Sequence, residues 1–279
     1  MLILRGHKLS LQNALNKCFT ALGEVFGVPS ASAYCHARQK LRPELFAHLN
    51  ELSCRDFYQL SEADGLVRGW RGHRLLGCDG TYLHLPDTAE TRAEFTLQVN
   101  QHEGGECVQA LACVLYDLRN DLGLAAALGK RQGEKKLLFD GLWHRTQADD
   151  VLVMDRAYAD YTVFAYARDY QREVVIRLPR GRFNACEPFW GGDLPEEVIR
   201  LPAPASAREF VAAHQLPEEI TLRLIRVELE GGETEVLATT LLDATQYPAA
   251  EFQQVYGWRW GEETFFDRFN SPSTKFPYT

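Results

Sequence analysis

Three carboxylates, Asp79, Asp155 and Glu263, stand in settings where an acidic side chain can do chemistry. Asp79 ends an apolar run and precedes Gly80 in RLLGCDGTYLHL (74–85), which reads as two strands meeting at a tight Asp-Gly turn. Asp155 closes the apolar run Val151 to Met154, expected as a buried central strand, and Arg156 follows it. Glu263 lies in YGWRWGEETFF (256–266). There Tyr256, Arg259 and Glu263 are three and then four residues apart, so a helix presents all three on one face. Trp258, Phe265 and Phe269 fall on another stripe, expected to pack on a sheet.

Carboxylates held a few ångströms apart raise one another's pKa unless a cation neutralises them. Magnesium prefers oxygen ligands and commonly takes one or two carboxylates together with substrate phosphates. Two such ions, roughly 3.5–4 Å apart, activate an attacking hydroxyl and stabilise a leaving oxygen. With the two strand ends adjacent and the helix alongside, these acids suit phosphodiester cleavage or strand transfer. Each also has a structural reading: Asp79 with Gly80 as a turn, Asp155 with Arg156 as a helix start. Arg259 with Glu263 would then be an intrahelical ion pair worth about 0.2–0.5 kcal/mol. Their joint order along the chain favours the chemical reading.

The elements that must position these groups follow from periodicity. Leu11, Leu15, Phe19, Leu22 and Phe26 form one helical stripe, stopped by Gly27 and Pro29. Ser30 or Ser32 is placed to cap the next helix, and Leu41, Leu45, Leu49 and Leu52 continue the helical rhythm to about residue 60. Cys107 to Leu118 reads as a buried strand, Gly133 to Leu142 as a helix, Tyr158 to Tyr170 as a helix and Val174 to Leu178 as a strand. Ile220 to Val227 alternates, Gly231-Gly232 signals a turn, and Glu235 to Thr240 completes a hairpin. Ala249 to Phe269 returns to a helical pattern. Strands mixed with helices, then a β-rich segment, then a helix indicate an α/β fold with an extra lobe.

Composition sets the class. Apolar residues make up 46% and charged residues 24%, the balance of a globular protein. No run approaches the ~20 apolar residues of a membrane helix, and the start lacks the apolar region of a signal peptide, so the expected location is cytoplasmic. Seven scattered cysteines contain no C-x-x-C pair and read as reduced, packed thiols rather than a zinc site. The net charge of −8 runs against phosphate binding, although residues 36–42 and 168–182 are locally basic and 218–235 acidic.

Taken in order, these segments resemble the insertion-sequence transposases of the DDE class that carry a Tyr-Arg-Glu-Lys signature, the insertion-sequence-four group. The signature is Tyr, two residues, Arg, three residues, Glu, six residues, Lys. Tyr256, Arg259 and Glu263 match it in identity and spacing, and Asn270 occupies the Lys position. GCDGTYLHLPDT (77–88) resembles the family's first-Asp block and VLVMDRAYADY (151–161) its second. SAYCHARQKLRPELFAHLN (32–50) is similar to the helical region before the catalytic core.

The resemblance implies an α/β, ribonuclease-H-like mixed sheet with flanking helices, a helical N-terminal region and a β-rich insertion. The implied segments are 1–70 (helical), 71–178 (first part of the core), 179–248 (insertion), 249–270 (core helix with the Glu) and 271–279 (tail). The 108 residues from Asp155 to Glu263 leave room for that insertion. Asp79, Asp155 and Glu263 would hold two Mg2+ (or Mn2+) ions, Tyr256 and Arg259 would contact transposon-end phosphates, and Arg156 would position a phosphate. Trp190 would stack on an unpaired base or, as the favoured reading, pack in the fold. The implied activity is metal-dependent endonucleolytic cleavage and strand transfer. Its partners are double-stranded DNA, as terminal inverted repeats and target, and a second copy of the chain on paired ends. The chain stops nine residues after Asn270, so a shortened C-terminal end is expected. The alternative reading is a catalytically inactive remnant that folds and binds DNA or a partner.

Overall fold

The computed structural model describes residues 10–21, 23, 27–99, 106–130, 133–228, 234–261 and 265–266. The chain divides into two compact units, residues 1–56 with 265–279, and residues 57–264. In the first, α1 (Leu11–Ala21) buries Ala14 and Leu15, and α2 (Ala31–Gln39) starts at Ser30, whose side chain accepts from the Ala33 amide. Gln12 ties the two helices, accepting from the Ala31 amide at 2.7 Å and donating to the Pro29 carbonyl at 3.2 Å. The third helix, α3 (Glu44–Ala63), is divided between the units at residues 56 and 57; it buries none of its residues and leaves Leu45, Leu49 and Leu60 exposed.

The second unit is built on a mixed sheet. Its elements in order are β1 (Arg74–Leu85), α4 (Ala89–Glu94), β2 (Thr96–Val99), β3 (Glu106–Asp117), β4 (Leu122–Gly129) and α5 (Glu134–Leu137), which continues as a π turn over Leu138–Leu142. Next come β5 (Asp150–Met154), α6 (Tyr161–Asp169), β6 (Glu173–Arg177), α7 (Glu187–Gly191), β7 (Glu196–Pro202), α8 (Arg208–Ala213), β8 (Glu219–Glu228), β9 (Thr234–Thr239) and α9 (Phe252–Gly257). The strands lie in the order β2-β3-β1-β5-β6-β9-β8-β7, with β4 also on β3. The β1–β5 and β5–β6 pairs are parallel and the others antiparallel. A mixed sheet with flanking helices agrees with the ribonuclease-H-like expectation.

Side-chain alternation splits the core into two layers. Leu76, Cys78, Leu152, Met154, Val174 and Ile176 face α6, whose Val163, Phe164 and Ala167 cover them. Leu75, Val151, Val153 and Val175 face the other way, onto Phe252, Val255 and Tyr256 of α9. β5 is buried along its whole length because it has strands on both sides and helices on both faces. Each Val or Leu so buried contributes about 1.5–3 kcal/mol.

One expectation is corrected. Residues 74–85 form a single strand, not two strands around an Asp-Gly turn. Asp79 and Gly80 pair with Val114 and Cys113 inside a register running unbroken from Leu76 to Leu85. A long antiparallel partner outweighs the local turn preference of the dipeptide. β2, β4 and β7 are additional to the strands read from sequence. The strands of 196–239 extend the same sheet, since β9 pairs with β6 with Ala238 opposite Ile176. No helix among the described residues is long and apolar enough to cross a membrane.

Candidate active site

The two strands that carry the aspartates are neighbours. The last β1–β5 pair sets Gly77 opposite Val153, and two residues further along each chain stand Asp79 and Asp155. Adjacent strands lie about 4.8 Å apart, so these carboxylates leave the sheet at one place. Asp79 shares the parity of Leu75 and therefore the face that α9 covers. Its Oδ1 accepts from the Gly80 amide at 2.8 Å. Asp155 caps the single 3-10 turn Arg156–Tyr158, accepting from the Ala157 amide at 2.7 Å. Arg156 is exposed on that turn.

Tyr256, on α9, is buried beside Asp155, Arg259, Glu235 and Arg177, and burial pushes its hydroxyl pKa up. Arg259 is buried too, with its guanidinium carbon 5.6 Å from the centre of the Tyr256 ring and 5.1 Å from that of Trp260. Arg177 pairs with Glu235 at 2.5 Å. The single helix expected over 249–269 is interrupted: α9 ends at Gly257, Trp258 and Arg259 form a turn, and helical backbone resumes at Trp260 and Gly261, so Tyr256 and Arg259 are not on one continuous helix face. Glu263 and Asn270 lie outside the described residues, as does Phe269. Trp258 packs at the edge of the α9 core, with the Arg119 guanidinium 3.8 Å above its ring. Trp190 is half-buried against the main core.

A third carboxylate in this neighbourhood escaped the sequence reading. Glu134 opens α5 after Gly133, which adopts φ +83°. Burial, then the charges of Asp79 and Asp155, push its carboxyl up to about 7, against a hydrogen bond from Tyr158 that acts the other way. Tyr158 is itself fully buried, its hydroxyl 3.7 Å from the sulfurs of both Cys78 and Cys113. Beside this group Asp160 receives Lys135 and Arg182, each at 2.8 Å, while capping α6 through Thr162. Nothing in the sequence around Glu134 signals this placement, because an acid in the first turn of a helix is an ordinary arrangement.

The donors gathered here are oxygens, the kind that hard divalent cations prefer. Among the described residues no three His, Cys, Asp or Glu side chains converge closely enough to hold a metal ion. Two aspartates, one midway along β1 and the other just past the end of the neighbouring β5, are nevertheless a donor set that magnesium accepts when phosphate oxygens complete it.

The sequence profile of a family described as "Transposase DDE domain" matches residues 70–273, most of the chain. The chain belongs to this family. It is also similar to the protein described as "Transposase InsG for insertion sequence element IS4" from Escherichia coli (strain K12). The two are 25% identical over 194 residues, which cover 68% of this chain and 42% of that relative. This DDE-family chain thus spans well under two thirds of that relative's length.

Proposed function

We propose that the protein is a metal-dependent DDE transposase that cleaves double-stranded DNA at the terminal inverted repeats of its element and joins the freed end to target DNA. What supports this reading is the β1–β5 register, in which Asp79, midway along β1, and Asp155, just past the end of β5, each follow the last paired residues by two, with α9 and its Tyr256 packed on that face. Asp79, Asp155 and Glu263 would hold Mg2+ or Mn2+, which supplies activation of the attacking hydroxyl and charge neutralisation at the phosphate. Arg259, in the turn after α9, and Arg156 would bind and orient phosphate oxygens, and the Tyr256 hydroxyl would add a contact from α9. The packing of Arg259 against Tyr256 and Trp260 would hold its guanidinium in a fixed direction. Activity would require a second copy of the chain to bring two ends together.

The test is cleavage of labelled terminal-repeat duplexes by the purified chain. Mg2+- or Mn2+-dependent nicking is expected, reduced to background in Asp155→Asn, Asp79→Asn and Glu263→Gln. Nicking that survives Asp155→Asn would remove the proposed centre. Duplex binding without cleavage in either metal would instead favour the catalytically inactive remnant.

A further inference from the structure

Glu134 lies outside the short acidic and Tyr-Arg-Glu blocks that carry the sequence resemblance, yet its side chain sits against Gly80, the residue next to Asp79, on the opposite face of β1. Gly80 makes room for it. A Cβ at that position would lie 2.6 Å from Glu134 Oε1 and 2.7 Å from its Cγ, closer than non-bonded atoms approach. The backbone there has parity with Leu76 and Cys78, so the contact is on the α6 side of the sheet, whereas Asp79 faces α9. The neighbouring cation, Lys135, is directed onto Asp160 at 2.8 Å rather than onto Glu134. Glu134 also borders a cavity of about 220 Å³ lined by Tyr82, Leu111, Ala157 and Tyr158. That volume accommodates several waters. Asp79, Asp155 and Glu134 do not converge tightly enough to be direct ligands of one ion.

We propose that Glu134 is an outer carboxylate of the metal centre, holding through water the ion that Asp79 and Asp155 bind directly; this rests on the metal-dependent reading above. Glu134 is a positioning residue in this scheme, and Gly80 is the seat that lets it approach. Groups in such outer positions fix the orientation of what the direct ligands hold, and their loss typically lowers metal affinity about 10- to 100-fold.

The experiment is Mn2+ titration of the full chain, following loss of the free-ion paramagnetic resonance signal. Glu134→Gln should weaken Mn2+ binding about 10- to 100-fold, while the metal-free melting temperature stays level or rises. Gly80→Ala keeps the charge but displaces the carboxylate, and should weaken binding in the same direction by a smaller factor. Wild-type affinity in Glu134→Gln, in parallel with loss of binding in Asp155→Asn, overturns the inference and leaves the metal reading intact. Absence of Mn2+ uptake by the wild-type chain overturns both.

Discussion

The stretch over which β1 and β5 pair carries charges at both ends, and the two ends are built in opposite ways. Where the strands begin, Arg74 grips Asp150 through two hydrogen bonds of 2.7 and 2.8 Å and lies 5.1 Å over the Tyr58 ring. The Tyr58 hydroxyl donates to Asp117 at 2.5 Å, and that buried carboxylate also accepts from the Arg119 and Asn120 amides. Each buried charge there meets its complement. Just past the last β1–β5 pair, Asp79, Asp155 and Glu134 share one neighbourhood, and the aspartate charges oppose ionisation of Glu134. The first end contributes to the stability of the fold; the second costs stability in the absence of a cation. A cluster kept against that cost is suited to binding rather than to holding the strands together.

The largest effect that tests this contrast is at the matched end. Asp150→Ala leaves the Arg74 guanidinium largely buried without its partner and should cost about 3–5 kcal/mol in urea denaturation. A cost below that of any change at the acidic end would reverse the comparison.

A smaller effect of opposite sign is expected at Glu134. Its folded-state pKa of about 7 lies above the ordinary 4.5, so the folded chain binds the proton more tightly than the unfolded chain. The associated stability is fully present below about pH 4.5 and is lost as pH rises through 7. Discounted for partial exposure, the loss is on the order of 2 kcal/mol. Metal-free melts from pH 5 to pH 8 should therefore fall more steeply for wild type than for Glu134→Gln, which should be the more stable protein at pH 8. Parallel pH profiles would mean that the acidic end carries no such repulsion.

The smallest effect is Tyr58→Phe, which removes one of several donors to Asp117 and should cost about 1 kcal/mol by chemical denaturation. A loss as large as that of Asp150→Ala would make the tyrosine, not the ion pair, the main fastener of the matched end.

Much of the frame was legible because its signals are strong and local. The apolar runs at 107–118 and 151–154 became β3 and β5, Ser30 caps α2, and the alternation on either side of 231–232 became the β8–β9 pair. The family was legible from the order of the acidic blocks and the Tyr-Arg-Glu spacing. Asp79-Gly80 misled because a dipeptide reports local preference, whereas its conformation is set by β3 alongside it. β4 was missed because LGLAAALG has few of the branched and aromatic residues that mark strands. Glu134 was illegible for a deeper reason. In sequence it is an ordinary acid in the first turn of a helix, and only the packing of α5 over β3 and β4, which sets Glu134 against Gly80 of β1, gives it aspartate neighbours.

The alternation of β1 ties both halves of the acidic site to one hydrogen-bonded frame. A slip of one residue against β3 would turn Asp79 inward toward α6 and present the wrong neighbour to Glu134, dismantling both sides together. Insertions between Leu76 and Tyr82 should therefore be intolerable, whereas the exposed approach before Arg68, whose backbone is held by Asn120, can absorb added length without moving either carboxylate.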